Sequence, residues 1–169
     1  IIILPGDLEI QQFDDRSERV IIFVVDASGS AAVARLAEAK GAVELMLANA
    51  YSKRDFVALI GFRGEVAEIL LEPTRSLVQA KKNLSSFAAG GGTPLASGLE
   101  KALKMAERSR QNNKTPVMAV LTDGKANIDL DGNPGRDKAI DDAQKIASIA
   151  RDFKISAVFM AVGRHSNPQ

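Results

Sequence analysis

Apolar residues along this chain fall into two alternating kinds of run. Short β-branched runs occur in RVIIFVVD (19–26), DFVALIGF (55–62), VAEILL (66–71), PVMAVLTD (116–123) and ISAVFMAV (155–162). Each reads as a strand, and the continuous ones suit a sheet buried on both faces. Between them the apolar positions recur at helical spacing. Val33, Leu36, Ala37, Val43, Leu47 and Ala50 line one face of a helix from Val33 to Tyr51, and SLVQAKKNLSSF (76–87) predicts a shorter helix. Leu95, Leu99, Ala102, Leu103 and Ala106 mark a second long helix, and Ile140, Ala143, Ile146, Ala147 and Ala150 mark the last. The short turn Arg63-Gly64-Glu65 joins its two strands as an antiparallel hairpin at a sheet edge. Strands alternating with crossover helices predict an α/β fold: a Rossmann-like, doubly wound, mostly parallel sheet with one antiparallel edge strand. Ligands of such sheets bind beyond the carboxyl ends of the strands, which puts Asp26 and Asp123 on one rim.

Composition narrows the picture. A chain of 169 residues with 46% apolar content fits one domain, spanning 1–169, with a full core. Twenty-two Lys and Arg against 21 Asp and Glu leave a formal charge of +1 and no basic stripe interleaved with aromatics, so nucleic acid is not the expected partner. Without cysteine there are no disulfides, no thiolate chemistry and no sulfur-bound zinc. No apolar run approaches the ~20 residues of a membrane span. The initial IIILPG is too short for a signal peptide, and a first residue other than Met reads as a domain cut from a longer protein.

The candidate chemistry lies at the strand ends. Asp26 and Asp123 supply carboxylates, Ser28 and Ser30 supply hydroxyls after the first strand, and Thr93 supplies a third hydroxyl from the glycine-rich AAGGGTP (88–94). Hard oxygens without imidazole or sulfur suit Mg²⁺ or Mn²⁺ rather than zinc or copper. Residues 26, 28 and 30 leave the strand through a tight turn at Gly29. Gly90, Gly91 and Gly92 are expected to form a mobile loop in which the Thr93 backbone approaches closely. Taken alone, serines after a strand serve equally as caps of the next helix.

Asp-x-Ser-x-Ser at 26–30, GGGTP at 90–94 and LTDG at 121–124 resemble the metal-ion-dependent adhesion site of von Willebrand factor A and integrin I domains. Four longer stretches resemble, more closely, the C-terminal domains of the magnesium chelatase D-subunit family. They are FVVDASGSAAVARLAEAKGAVELMLANAYSKRDFVALIGFRG, EPTRSLVQAKK, GGGTPLASGL and LTDGKANIDLDGNPGR. The resemblance implies that Asp26, Ser28, Ser30, Thr93 and Asp123 hold Mg²⁺ or Mn²⁺ in a non-catalytic protein-interaction domain. It also implies partners, namely the ATP-hydrolysing I subunit and the porphyrin-binding H subunit of the complex that inserts Mg²⁺ into protoporphyrin IX. A carboxylate on one of them would reach the ion, in the cytoplasm or, in a plant or alga, the plastid stroma. The family's ATPase-like module and acidic, proline-rich linker have no counterpart here, and the terminal GRHSNPQ departs from its pattern by not reading as a helix.

Other motifs carry less. N-I-D-L-D-G (127–132) echoes the start of an EF-hand loop, but its twelfth position is Lys138 instead of a bidentate glutamate. Arg63-Gly64-Glu65 reads as a turn, His165 as a lone solvated side chain, and no phosphate-binding G-x-x-x-x-G-K-[ST] occurs. An aspartyl-phosphate phosphatase would use Asp26 with Thr122, Lys125 and the pair Asp141-Asp142. Its general acid two residues after the nucleophile is Ser28, a poor proton donor, and the pair reads as surface charge on a helix. An adhesion domain of the same fold would differ in compartment rather than in site.

Overall fold

The structure, a computed structural model, describes residues 18–28, 41 and 44–161. Gly29, Ser30, His165, the segment IIILPG and the predicted start of the first helix lie outside the described residues. Five strands form one sheet: β1 (Arg19–Asp26), β2 (Phe56–Arg63), β3 (Val66–Thr74), β4 (Thr115–Thr122) and β5 (Ser156–Ala161). Their order is β3-β2-β1-β4-β5. β1 pairs in parallel with β2 and β4, β4 pairs in parallel with β5, and β3 runs antiparallel to β2 as the expected edge hairpin. The helices are α1, whose described part covers 44–52, α2 (Leu77–Ser86), α3 (Leu95–Gln111) and α4 (Arg136–Asp152).

The strand ends differ from the apolar runs by a residue or more at several places, and two of these differences matter. β3 continues past Leu71 to Thr74 through Pro73, which an edge strand tolerates because a missing N–H on the open side breaks no ladder bond. β4 stops at Thr122, so Asp123 stands one residue beyond the strand.

The centre of the sheet is buried on both faces because β1 is apolar at every interior position. Val20, Ile22 and Val24 meet Ala58, Ile60, Phe62, Met118 and Val120 under α3 and α4. Phe23 and Val25 meet Leu59, Ala119 and Leu121 under Leu47 and Ala50 of α1 and Ala80 and Leu84 of α2. Phe23, Phe62, Leu59 and Ile60 are fully enclosed, and burying each contributes about 1.5–3 kcal/mol. At the amino end of the sheet, Glu18 bonds both Arg75 and Lys114, and the Arg19 guanidinium grips Asp55 at 3.2 and 3.0 Å.

Two glycines set how closely the layers approach. A Cβ on Gly98 of α3 would lie 2.9 Å from the Phe62 ring, and one on Gly61 of β2 would lie 2.3 Å from Cζ of Phe87. Phe87, the residue after α2, therefore places the tip of its ring directly against the β2 backbone at Gly61. Gly61→Ala is expected to destabilise the domain by about 1–3 kcal/mol through overpacking, read from the midpoint of urea unfolding at unchanged slope.

Candidate metal centre

The winding of the sheet reverses at β1. The chain leaves β1 toward β2 on one side and returns later as β4 on the other. Where neighbouring parallel strands send their following loops in opposite directions, a crevice opens beyond their carboxyl ends. Asp26 closes β1 opposite Phe62 of β2, and Asp123 follows β4.

Asp26 gathers the rim. Its Oδ1 accepts from the Ser28 amide at 2.8 Å and from the Ser28 hydroxyl at 2.6 Å, and its Oδ2 accepts from the Thr122 hydroxyl at 3.0 Å. Thr93, almost fully buried, donates its hydroxyl to Ser28 Oγ at 2.7 Å. Three of the five candidate ligands, Asp26, Ser28 and Thr93, thus lie in one hydrogen-bonded chain although 65 residues separate Ser28 from Thr93. Asp123 accepts from the Lys125 amide at 3.1 Å, with the Lys125 ammonium 3.7 Å from its other oxygen. Ser30 lies outside the described residues. Thr122 had been noticed only for a phosphatase arrangement; here it is a second hydroxyl on Asp26, and it also accepts from the Gly124 amide at 3.1 Å.

This donor set fits a hard divalent ion. Among the described residues no three His, Cys, Asp or Glu side chains come together, so any ion must take neutral hydroxyl oxygens or water beside one or two carboxylates. Mg²⁺ and Mn²⁺ accept that mixture, whereas zinc prefers nitrogen and sulfur. Each hydroxyl keeps a lone pair beyond the proton it donates.

The glycine-rich loop is packed against its neighbours. Gly90 donates to the Ala27 carbonyl at 2.7 Å. A Cβ on Gly91 would meet the Gly64 backbone at 2.9 Å, and one on Gly92 would meet Gly64 O and the Ile128 side chain at 2.6 Å. Gly90 and Gly91 also adopt φ of +122° and +88°. Gly91 and Gly92 are needed for close backbone contact with the hairpin turn between β2 and β3, so the turn Arg63-Gly64-Glu65 acts as a wall for the rim.

The segment after β4 is equally organised. Asn127 Oδ1 accepts from the Thr93 amide at 2.7 Å, and the Asn127 amide donates to the Thr93 carbonyl at 3.3 Å. The buried Asp129 accepts from the Asp131 and Asn133 amides at 2.9 and 2.8 Å and pairs with Lys138 Nζ at 2.8 Å. Asp131 reaches the same ammonium at 2.6 Å. The EF-hand echo is thus filled by a lysine: the twelfth residue supplies a cation to the carboxylates instead of joining them. Asp142 is not the surface charge expected from the helical pattern. It is buried, and it accepts from the Leu130 amide at 3.1 Å, while Asp141 stays exposed and pairs with Lys145.

A profile of the von Willebrand factor type A domain matches residues 21–125, and the chain belongs to that family. It is 49% identical over 168 residues to the magnesium-chelatase 60 kDa subunit of Cereibacter sphaeroides, covering 99% of this chain and 30% of that protein. It is 47% identical over 131 residues to the magnesium-chelatase 67 kDa subunit of Chlorobaculum parvum, covering 77% of this chain and 21% of that protein. The chain thus spans less than a third of the length of these curated relatives. Among solved structures, the pilus adhesin SpaC of Lactobacillus rhamnosus GG superposes with a TM-score of 0.69 at 19% identity, covering 86% of this chain and 24% of that one. A von Willebrand factor type A protein of Catenulispora acidiphila gives 0.63 at 20% identity, covering 85% and 33%. At such identities what is shared is the fold.

Two outcomes follow from this geometry. Gly92→Ala is expected to lower stability by about 1–3 kcal/mol, because backbone and Ile128 must both give way; urea unfolding checks it. Lys138, then the Asn133 amide, hold the Asp129 carboxyl below its ordinary 3.8, and Asp129, then Asp131, push Lys138 above its ordinary 10.5. The lowered carboxyl contributes fully above 3.8 and is lost as pH falls through its folded value. The raised ammonium contributes fully below 10.5 and is lost as pH rises through its folded value. The stability advantage of wild type over Asp129→Asn should therefore be flat between those limits and shrink in acid and in strong base.

Proposed function

We propose that this chain is the metal-ion-dependent protein-interaction domain of a magnesium chelatase D-type subunit, with Asp26, Ser28, Ser30, Thr93 and Asp123 holding Mg²⁺ or Mn²⁺. The observation that carries the reading is the chain of hydroxyls from Thr93 through Ser28 to Asp26, joined by Thr122, at the carboxyl rim of β1 and β4. The identity along 99% of the chain to a magnesium-chelatase subunit supports the choice of complex.

Asp26 and Asp123 balance at most the two charges of the ion, and the hydroxyls add none. Five side-chain donors fall short of the ~six oxygens Mg²⁺ prefers, so at least one position is left for water. When bound, the ion would supply electrostatic attraction for a carboxylate that replaces that water. The domain's own residues hold the hydroxyls ready and leave the rim open. On this reading the domain is not itself an enzyme. ATP-driven insertion of Mg²⁺ into protoporphyrin IX belongs to the assembled complex, in the cytoplasm or plastid stroma. The ATP-hydrolysing I subunit is the first candidate to provide the carboxylate, and the porphyrin-binding H subunit is the second. Among the described residues no helix is long and apolar enough to cross a membrane.

The test is titration calorimetry with Mn²⁺, paired with a pull-down of the I subunit. Wild type should bind Mn²⁺ weakly and capture the I subunit, and EDTA or Asp26→Ala should abolish both while the circular dichroism spectrum stays unchanged. Capture indifferent to both treatments would place the interface elsewhere.

A further inference from the structure

We infer that Asn127 is the positioning residue of the rim, holding Thr93 so that its hydroxyl meets Ser28. The consequence for metal binding rests on the function proposed above; the positioning itself does not. Asn127 grips both backbone groups of Thr93. Its side-chain oxygen takes the Thr93 amide at 2.7 Å, and its own amide donates to the Thr93 carbonyl at 3.3 Å. A single residue thereby makes a two-bond bridge to a segment 34 positions earlier in sequence.

That grip matters because of what precedes Thr93. Three successive glycines lose more backbone freedom on ordering than any other residues, so the loop needs anchors to stay in one conformation. Gly90 is anchored on Ala27, and Gly91 and Gly92 rest against the Gly64 turn. At Thr93 itself the anchor is Asn127. Thr93 is 5% exposed while Asn127 itself is exposed, so loss of the Asn127 side chain removes the protein acceptor of the Thr93 amide and opens that amide to exchange with water.

Asn127 can act as an anchor because it is itself mounted. Its carbonyl accepts from the Gly135 amide at 2.9 Å, and Ile128 bridges Pro134. Asp129 closes the turn between them, held by Lys138 from the start of α4, and Asp142 takes the Leu130 amide. The path runs from α4 through the 127–135 loop to Thr93, and from Thr93 through Ser28 to Asp26. The whole mount lies past the span matched by the family profile, which ends at residue 125.

The experiment uses the 169-residue chain, with amide hydrogen exchange at Thr93 read by NMR without metal and Mn²⁺ affinity read by calorimetry. Asn127→Ala should speed Thr93 exchange and weaken Mn²⁺ binding, each roughly tenfold. In a Thr93→Ala background it should weaken Mn²⁺ binding no further, because Asn127 acts through Thr93. Asn127→Asp keeps the acceptor and should restore both Thr93 protection and Mn²⁺ affinity. Should Asn127→Ala fail to fold, Asn127→Asp decides: a folded Asp variant with unprotected Thr93 overturns the inference. So do full additivity with Thr93→Ala, or unchanged exchange in Asn127→Ala. If wild type binds no Mn²⁺ while Asn127→Ala still deprotects Thr93, the metal reading falls and the positioning role stands.

Discussion

The Asp26 carboxylate stands half-buried at the end of a strand whose interior is enclosed, where protein donors meet a charge that water reaches only in part. Three donors meet it. The amide and hydroxyl of Ser28 come from the turn leaving β1, and the hydroxyl of Thr122 comes from the neighbouring β4. One side chain therefore ties together the two strands between which the winding reverses, and the crevice opened by that reversal is lined with hydroxyls. Thr93 joins through Ser28 rather than directly, so Asp26 is the point on which the hydroxyls of β4, the β1 turn and the glycine loop converge.

Around that point the rim is built by close backbone contact. The hairpin turn at Gly64, required to connect two antiparallel strands, also forms the surface on which Gly91 and Gly92 lie. A loop of three glycines is commonly taken as a hinge, but glycine equally permits contacts that a Cβ would forbid. Contacts as short as those at Gly92 favour the second role here. The loop is shaped by its neighbours, and Thr93 inherits its position from them.

Two acidic clusters in this domain are satisfied in different ways. In the 127–135 loop, Asp129 and Asp131 share the Lys138 ammonium, and backbone amides take the remaining oxygen of Asp129. That cluster carries its own cation and serves as a structural mount. On the rim, Asp26 is met by two hydroxyls and one backbone amide, all neutral, and Lys125 stands near Asp123. The difference explains why a motif with the spacing of a calcium loop became scaffolding, while a rim whose central carboxylate is met by neutral donors is the better candidate for an ion.

The layout of the fold was legible in the chain because burial leaves a period. RVIIFVVD is apolar at every interior step and took the central position. VAEILL sits after a glycine turn and took the antiparallel edge. The helices showed their faces at 3.6-residue spacing. Asp26, Ser28 and Thr93 could be grouped before any coordinates because strand ends and glycine turns are local signals, and the rule of the carboxyl rim does the rest. What the sequence could not show were the contacts between segments far apart in it. Asn127 was one letter in a polar loop, Asp142 looked like helix surface, and Gly91 and Gly92 looked like a hinge. Each acquired its role only when the hairpin turn, the glycine loop and α4 were brought within hydrogen-bonding and van der Waals range. Periodicity records which face of an element is buried, whereas the partner of a particular polar atom is fixed by distances that only the folded chain possesses.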